Sequence, residues 1–121
     1  MSRVYLSGPM TGLPGHNFPA FHAAAADLRR RGDVVLNPAE NFGGLESLPR
    51  AEYMRLDLQH VLHADELLVL DGWEASRGAA LEVAVAHELG LPVHEYDPTF
   101  LSCRGVEVQP GRLEVIEKEA A

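Results

Sequence analysis

Residues Glu66-Leu67-Leu68-Val69-Leu70 are apolar without a break after the first position. A run so short and without alternation suits a strand covered on both faces, the usual condition of a central parallel strand. Such a strand needs helices on both sides of its sheet, and the flanking segments supply them. Val4 to Ser7 is another short apolar run, stopped at Gly8. The loop from Gly8 to Gly15 is too rich in Gly and Pro for regular structure. Asn17 is placed to cap a helix carrying Pro19 in its first turn. Phe18, Phe21, Ala25 and Leu28 recur along it at helical spacing, and Gly32 follows as a stop. Val34-Val35-Leu36 reads as a strand ended by Asn37-Pro38. After a loop over 39–49, a second helix is predicted from about Arg50 to Ala64, with Met54, Leu58, Val61 and Leu62 as its core face. Ser76 caps a third helix that reaches Leu89 and ends at Gly90, and Pro92 to Tyr96 is a fourth strand.

Three strand–helix alternations imply right-handed crossovers. The fold expected is α/β: a doubly wound, mainly parallel sheet of four to five strands with helices on both faces. Segments 105–108 and 112–116 read as edge strands or a hairpin. The 121 residues suit one domain, with 1–98 as its α/β body and 99–121 as its tail.

Charge and composition narrow the function. Ten Lys and Arg stand against 18 Asp and Glu, a net charge of -8. That excludes the basic face a nucleic-acid polymer needs, but one Arg and a helix N-terminus can still hold a small anion. Cys103 is the only cysteine, so no internal disulfide or Cys-based zinc site can form, and an inert thiol is expected. No apolar stretch approaches the roughly 20 residues that span a bilayer. Arg3 to Ser7 reads as strand from the outset, without a signal peptide, so a cytoplasmic protein is expected. Of the six histidines only His60-x-x-His63 has ligand-like spacing, and helix-surface roles are preferred to metal. Neither G-x-G-x-x-G nor a P-loop occurs, so no cofactor is expected.

Ligands of doubly wound sheets sit outside the carboxyl ends of the strands. Here those loops are Gly8–Gly15, Asn37–Pro49 and Asp71–Ser76. Beyond the third, Ser76 places a hydroxyl and free N–H groups at a helix N-terminus. Gly78 leaves the backbone open to a ligand, and Glu82 follows one turn later among Gly78, Ala79 and Ala86. A carboxylate on that small-residue stripe faces either solvent or a cavity. Tyr53, Asp57 and His60 share one face of the second helix. Asp57 is either a solvated aspartate or a partly buried one, raised in pKa and able to donate a proton. Two carboxyl groups, one nucleophile and one acid, are what cleavage of a glycosidic bond requires. Trp73 is a lid or base-stacking surface, or else it covers the end of the sheet.

Tyr5 followed by Gly8, Asp57-Leu58, and Ser76-x-Gly78-x-x-x-Glu82 together resemble the nucleoside 2-deoxyribosyltransferase superfamily. Within it the chain resembles a bacterial and phage branch with a Ser-Gly-Pro-Met loop, here Ser7-Gly8-Pro9-Met10, and a Gly-Trp-Glu turn, here Gly72-Trp73-Glu74. The similarity spans about Arg3 to Tyr96. It implies a flavodoxin-like sheet and a retaining mechanism. Glu82 would attack the anomeric carbon, Asp57 would protonate the departing base, and Tyr5 would orient Glu82. Substrate contacts are expected from Ser7, Gly8, Pro9, Met10, Thr11 and Asn17, and from Trp73, Ser76, Arg77 and Gly78. Serine at position 76 matches the superfamily's nucleoside-monophosphate hydrolases, whose nucleoside transferases carry aspartate there. Those hydrolases also carry a Ser and an Arg after the first-strand glycine. Here the residues are Pro9 and Thr11, with Thr11, Arg77 and loop N–H groups as candidate replacements. The expectation is an N-glycosidase for a (deoxy)nucleoside 5′-monophosphate. Base exchange between deoxynucleosides is the enzyme alternative, and a non-catalytic nucleotide-binding module is the alternative of another class. The small chain gives a pocket limited cover, so a homodimer or larger homo-oligomer is expected.

Overall fold

The computed structural model describes residues 2–44 and 47–111. Five strands form one sheet: β1 (Arg3–Ser7), β2 (Val34–Leu36), β3 (Glu66–Val69), β4 (Val93–Tyr96) and β5 (Arg104–Glu107). Their order is β2-β1-β3-β4-β5. β1, β2, β3 and β4 pair in parallel, while β5 runs antiparallel to β4. This is the flavodoxin-like strand order, with its switch point between β1 and β3. The expected segment 105–108 is thus an antiparallel edge strand, shifted by one residue; 112–116 lies outside the described residues.

Three helices complete the crossovers: α1 (Phe18–Arg30), α2 (Arg50–His63) and α3 (Arg77–Glu88). Side chains alternate across a strand, so β1 and β3 each feed two cores. Val4, Leu6, Leu68 and Leu70 meet Phe21, Ala24, Ala25 and Leu28 of α1 on one face. Tyr5, Leu67 and Val69 meet Val61 of α2 and Val83 and Ala86 of α3 on the other. Leu67 and Leu68 are fully buried, each contributing roughly 1.5–3 kcal/mol.

Two local expectations fail. Leu62 is 59% exposed, because the turn of α2 that buries Val61 against the sheet rotates the next residue by about 100° toward solvent. Asn17 sits at the start of α1 in a left-handed conformation and makes no side-chain cap. Its Nδ2 instead donates to the Pro9 carbonyl at 2.9 Å and braces the first loop.

Candidate active site

At the carboxyl ends of β1 and β3 lies a cavity of about 380 Å³, within the range of small-molecule sites. β1 can end beside β3 there because Gly8 has no side chain. A Cβ on Gly8 would lie 2.9 Å from the Leu70 Cβ and 3.4 Å from the Phe21 ring.

Glu82 and Asp57 both line this cavity. Glu82 belongs to α3 and is only 5% exposed. Tyr5 and Ser7, two apart on β1, face the same side of the sheet and both donate to it. The Tyr5 hydroxyl reaches Oε2 at 3.0 Å, and the Ser7 hydroxyl reaches Oε1 at 2.7 Å. Each carboxylate oxygen therefore has a donor, and neither donor is a cation. Burial raises the Tyr5 phenol well above its ordinary value, with the Glu82 charge adding to it, so Tyr5 remains a donor.

Asp57 comes from the middle of α2, and its charge acts on both Glu82 and Tyr5. Asn41 donates through Nδ2 to Asp57 Oδ1 at 2.6 Å. Asn41 lies in the turn Pro38–Gly44 just before Phe42, whose φ is 54°. A left-handed phenylalanine is strained, and the Phe42 ring is held edge-on against Tyr53, centroids 5.5 Å apart.

Both carboxyl groups sit above the usual range. Burial is the main cause for each, taking Asp57 to about 6 and Glu82 to about 8, and the like charge of Asp57 adds to the rise in Glu82. Near neutral pH the pair therefore keeps one proton, which belongs to the pair rather than to either member. Two donors on Glu82 favour its charged form. A single proton beside a buried carboxylate suits acid-and-nucleophile chemistry.

Of the contacts expected from sequence, Gly8, Met10, Thr11, Ser76 and Gly78 line the cavity. Ser76 also caps α3, accepting from the Ala79 N–H at 3.2 Å. The other five lie outside the lining. Tyr5-like alternation turns Ser7 inward onto Glu82, where it is fully buried. Pro9 turns toward Gly72, where its Cγ would lie 3.3 Å from an added Cβ. Asn17 is occupied with the Pro9 carbonyl. Trp73 packs on the α2–α3 side of the core and borders a separate groove along α3 with Ala80 and Ala84. Arg77, the first residue of α3, is exposed outside the cavity.

Sequence reasoning missed Asn41, Arg50, Phe18 and His16, all of which line the cavity. Arg50 carried a readable signal: it stands seven residues before Asp57, on the same helical stripe. Asn41 carried none, since the turn that aims it is irregular. Among the described residues, no three His, Cys, Asp or Glu side chains gather as a metal site, and no helix is long and apolar enough to cross a membrane.

The strand order and the buried carboxyl pair at the switch point define a nucleoside deoxyribosyltransferase-like α/β protein. Residues 2–95 match the family described as Domain of unknown function (DUF4406), and the chain belongs to it. Among solved structures it is similar to a 2-deoxyribosyltransferase from the psychrotolerant bacterium Bacillus psychrosaccharolyticus. The TM-score is 0.63 and the identity 26%, over 78% of this chain and 71% of that one. A search of curated proteins gave no match.

Proposed function

We propose that this chain is an N-glycosidase that hydrolyses the bond between base and sugar in a (deoxy)nucleoside 5′-monophosphate. The observation that carries the reading is Glu82, buried at the cavity wall, held at both oxygens by Tyr5 and Ser7, with Asp57 beside it. Glu82 attacks the anomeric carbon as the C–N bond breaks, and the proton held by the pair passes through Asp57 to the departing base. This leaves a glycosyl ester on Glu82 and a charged Asp57. Asp57 then takes a proton from water, the resulting hydroxide displaces Glu82 from the sugar, and both carboxyl groups return to their starting state. Tyr5 and Ser7 hold Glu82 in one orientation through both steps, so little reorganisation is left to the reaction itself. Met10, Phe18 and Phe21 give the cavity an apolar wall suited to a flat base.

Base exchange is the second reading, favoured by the likeness to a 2-deoxyribosyltransferase. It differs only in that a second nucleobase, in place of water, releases the sugar from Glu82. Chromatography of reactions with each ribo- and deoxyribonucleoside and its 5′-monophosphate, with and without a competing free base, separates the two. Base release by the wild type and not by Glu82→Ala is expected. A new nucleoside or nucleotide would identify exchange, and silence across the whole panel would sink both readings.

A further inference from the structure

One cation in the cavity has no part in the chemistry above. Arg50, Tyr53, Met54 and Asp57 follow one another at positions i, i+3, i+4 and i+7 and form one wall. Seven residues of helix separate Arg50 from Asp57 by about 10 Å along the axis. Arg50 and Asp57 thus begin about two turns apart on the same wall of the cavity.

Arg50 reaches from α2 toward the first turn of α3. Its Nη2 lies 4.0 Å from where a Cβ on Gly78 would stand, and Met54 Sδ lies 3.5 Å from the same point. The guanidinium thus stands close beside the bare backbone of Gly78. Arg29, Arg30, Arg31 and Arg104 each pair with a carboxylate. Arg50 pairs with none among the described residues. In a chain of net charge -8, an arginine left unpaired inside a cavity that also holds two carboxyl groups favours an anion at its own end. Arg77, the nearer arginine in sequence to Gly78, does not line the cavity.

Resting on the nucleotide reading, we infer that Arg50 binds the 5′-phosphate of the substrate over Gly78 and so selects nucleotides over nucleosides. The fork of a guanidinium can pair two phosphate oxygens at once, which an ammonium cannot. Arg50 is exposed in the first turn of α2, so its replacement leaves the core intact. It makes the cation absent from the first loop unnecessary.

The test is equilibrium binding of 2′-deoxynucleoside 5′-monophosphates and of the matching nucleosides, by calorimetry. The proteins are Glu82→Gln, which keeps the ligand whole, and the same protein carrying Arg50→Met or Arg50→Lys. Expected is a preference for the monophosphate that falls about 10–100-fold with Met and is partly kept with Lys, while nucleoside binding is unchanged. A preference that survives Arg50→Met, or no preference in the parent, overturns the assignment. Base release by the wild type is scored separately. A phosphate preference lost with Arg50→Met in a protein that releases no base would keep this subsite and remove the glycosidase reading.

Discussion

On one face of the sheet α1 buries Asp27, and on the other α3 buries Glu82; the two carboxyl groups are 8% and 5% exposed. Their partners are opposite in kind. Asp27 accepts from the Tyr96 hydroxyl at 2.8 Å, from Arg30 and Arg31 at 2.8 and 3.1 Å, and from the Cys103 thiol at 3.3 Å. The Tyr96 hydrogen bond, and then Arg31, hold it down at about 2. Glu82 has two neutral hydroxyls and a second carboxyl, and rises to about 8. Asp27 is thereby a permanent anion that ties α1 to the segment around Cys103. Glu82 and Asp57 keep a proton that can move. Two carboxyl groups with little exposed surface thus end as an anchor or a reactive pair: hydrogen bonds from Tyr96 and Arg31 outweigh burial at Asp27, while burial outweighs the two hydroxyls at Glu82.

Breaking the reactive side should have the largest effect. Glu82→Ala is expected to lose nearly all base release, and Asp57→Asn to lose about 10²–10⁴-fold, as for a general acid. An unchanged rate in Asp57→Asn would take that residue out of the mechanism. Asp27→Asn should do the reverse: kcat per folded molecule is kept, while Tm falls by several degrees, as scanning calorimetry would record. If turnover fell as far as in Asp57→Asn, the division between anchor and reactive pair would be wrong.

A pH series sharpens the same contrast. Activity needs the pair singly protonated, so the rate should form a bell with limbs near the pair's values of about 6 and about 8. A flat profile from pH 5 to 9 would contradict it. The smallest effect is on stability, where the signs are opposed. Asp27 is lowered on folding, so its contribution is complete above its unfolded value of roughly 3.9 and is lost as pH falls toward about 2. Glu82 is raised, so its contribution is complete below roughly 4.3 and is lost as pH climbs through about 8. Chemical denaturation should therefore show Glu82→Gln gaining on the wild type as pH rises from 5 to 9. A constant difference would place the origin elsewhere.

The reactive side was far more legible in sequence than the anchor. The apolar run at Glu66–Val69 announced a central strand, and the spacing Ser76-x-Gly78-x-x-x-Glu82 brought a helix N-terminus, an open backbone and a carboxyl together. Both depend on local periodicity, which a chain displays directly. Asp27 sits beside three arginines and reads as an ordinary helix charge, because Tyr96 and Cys103 reach it only after the sheet has formed. Asn41 was hidden for a related reason, since it depends on an irregular turn that leaves no period. Arg50 shows its place on the Asp57 stripe, but not the reach of its side chain toward Gly78. Trp73 and Arg77 show the limit from the other side: both stand next to a loop at the carboxyl end of β3 but lie outside the cavity lining, and position in sequence does not say which way a side chain leaves.

β1 contributes to two things through alternate residues. Val4 and Leu6 fill one core, while Tyr5 and Ser7 hold Glu82 across the other. Five residues in register with Leu36 and Val69 therefore carry two separate specifications on one thread. Sliding that thread by a single position would put Leu6 beneath the carboxylate and two hydroxyls into the hydrocarbon under α1. Damage of that kind admits no intermediate degrees. A molecule that has sealed its α1 core has, by the same act, already aimed its carboxylate, and misfolded copies that retain chemistry should not arise.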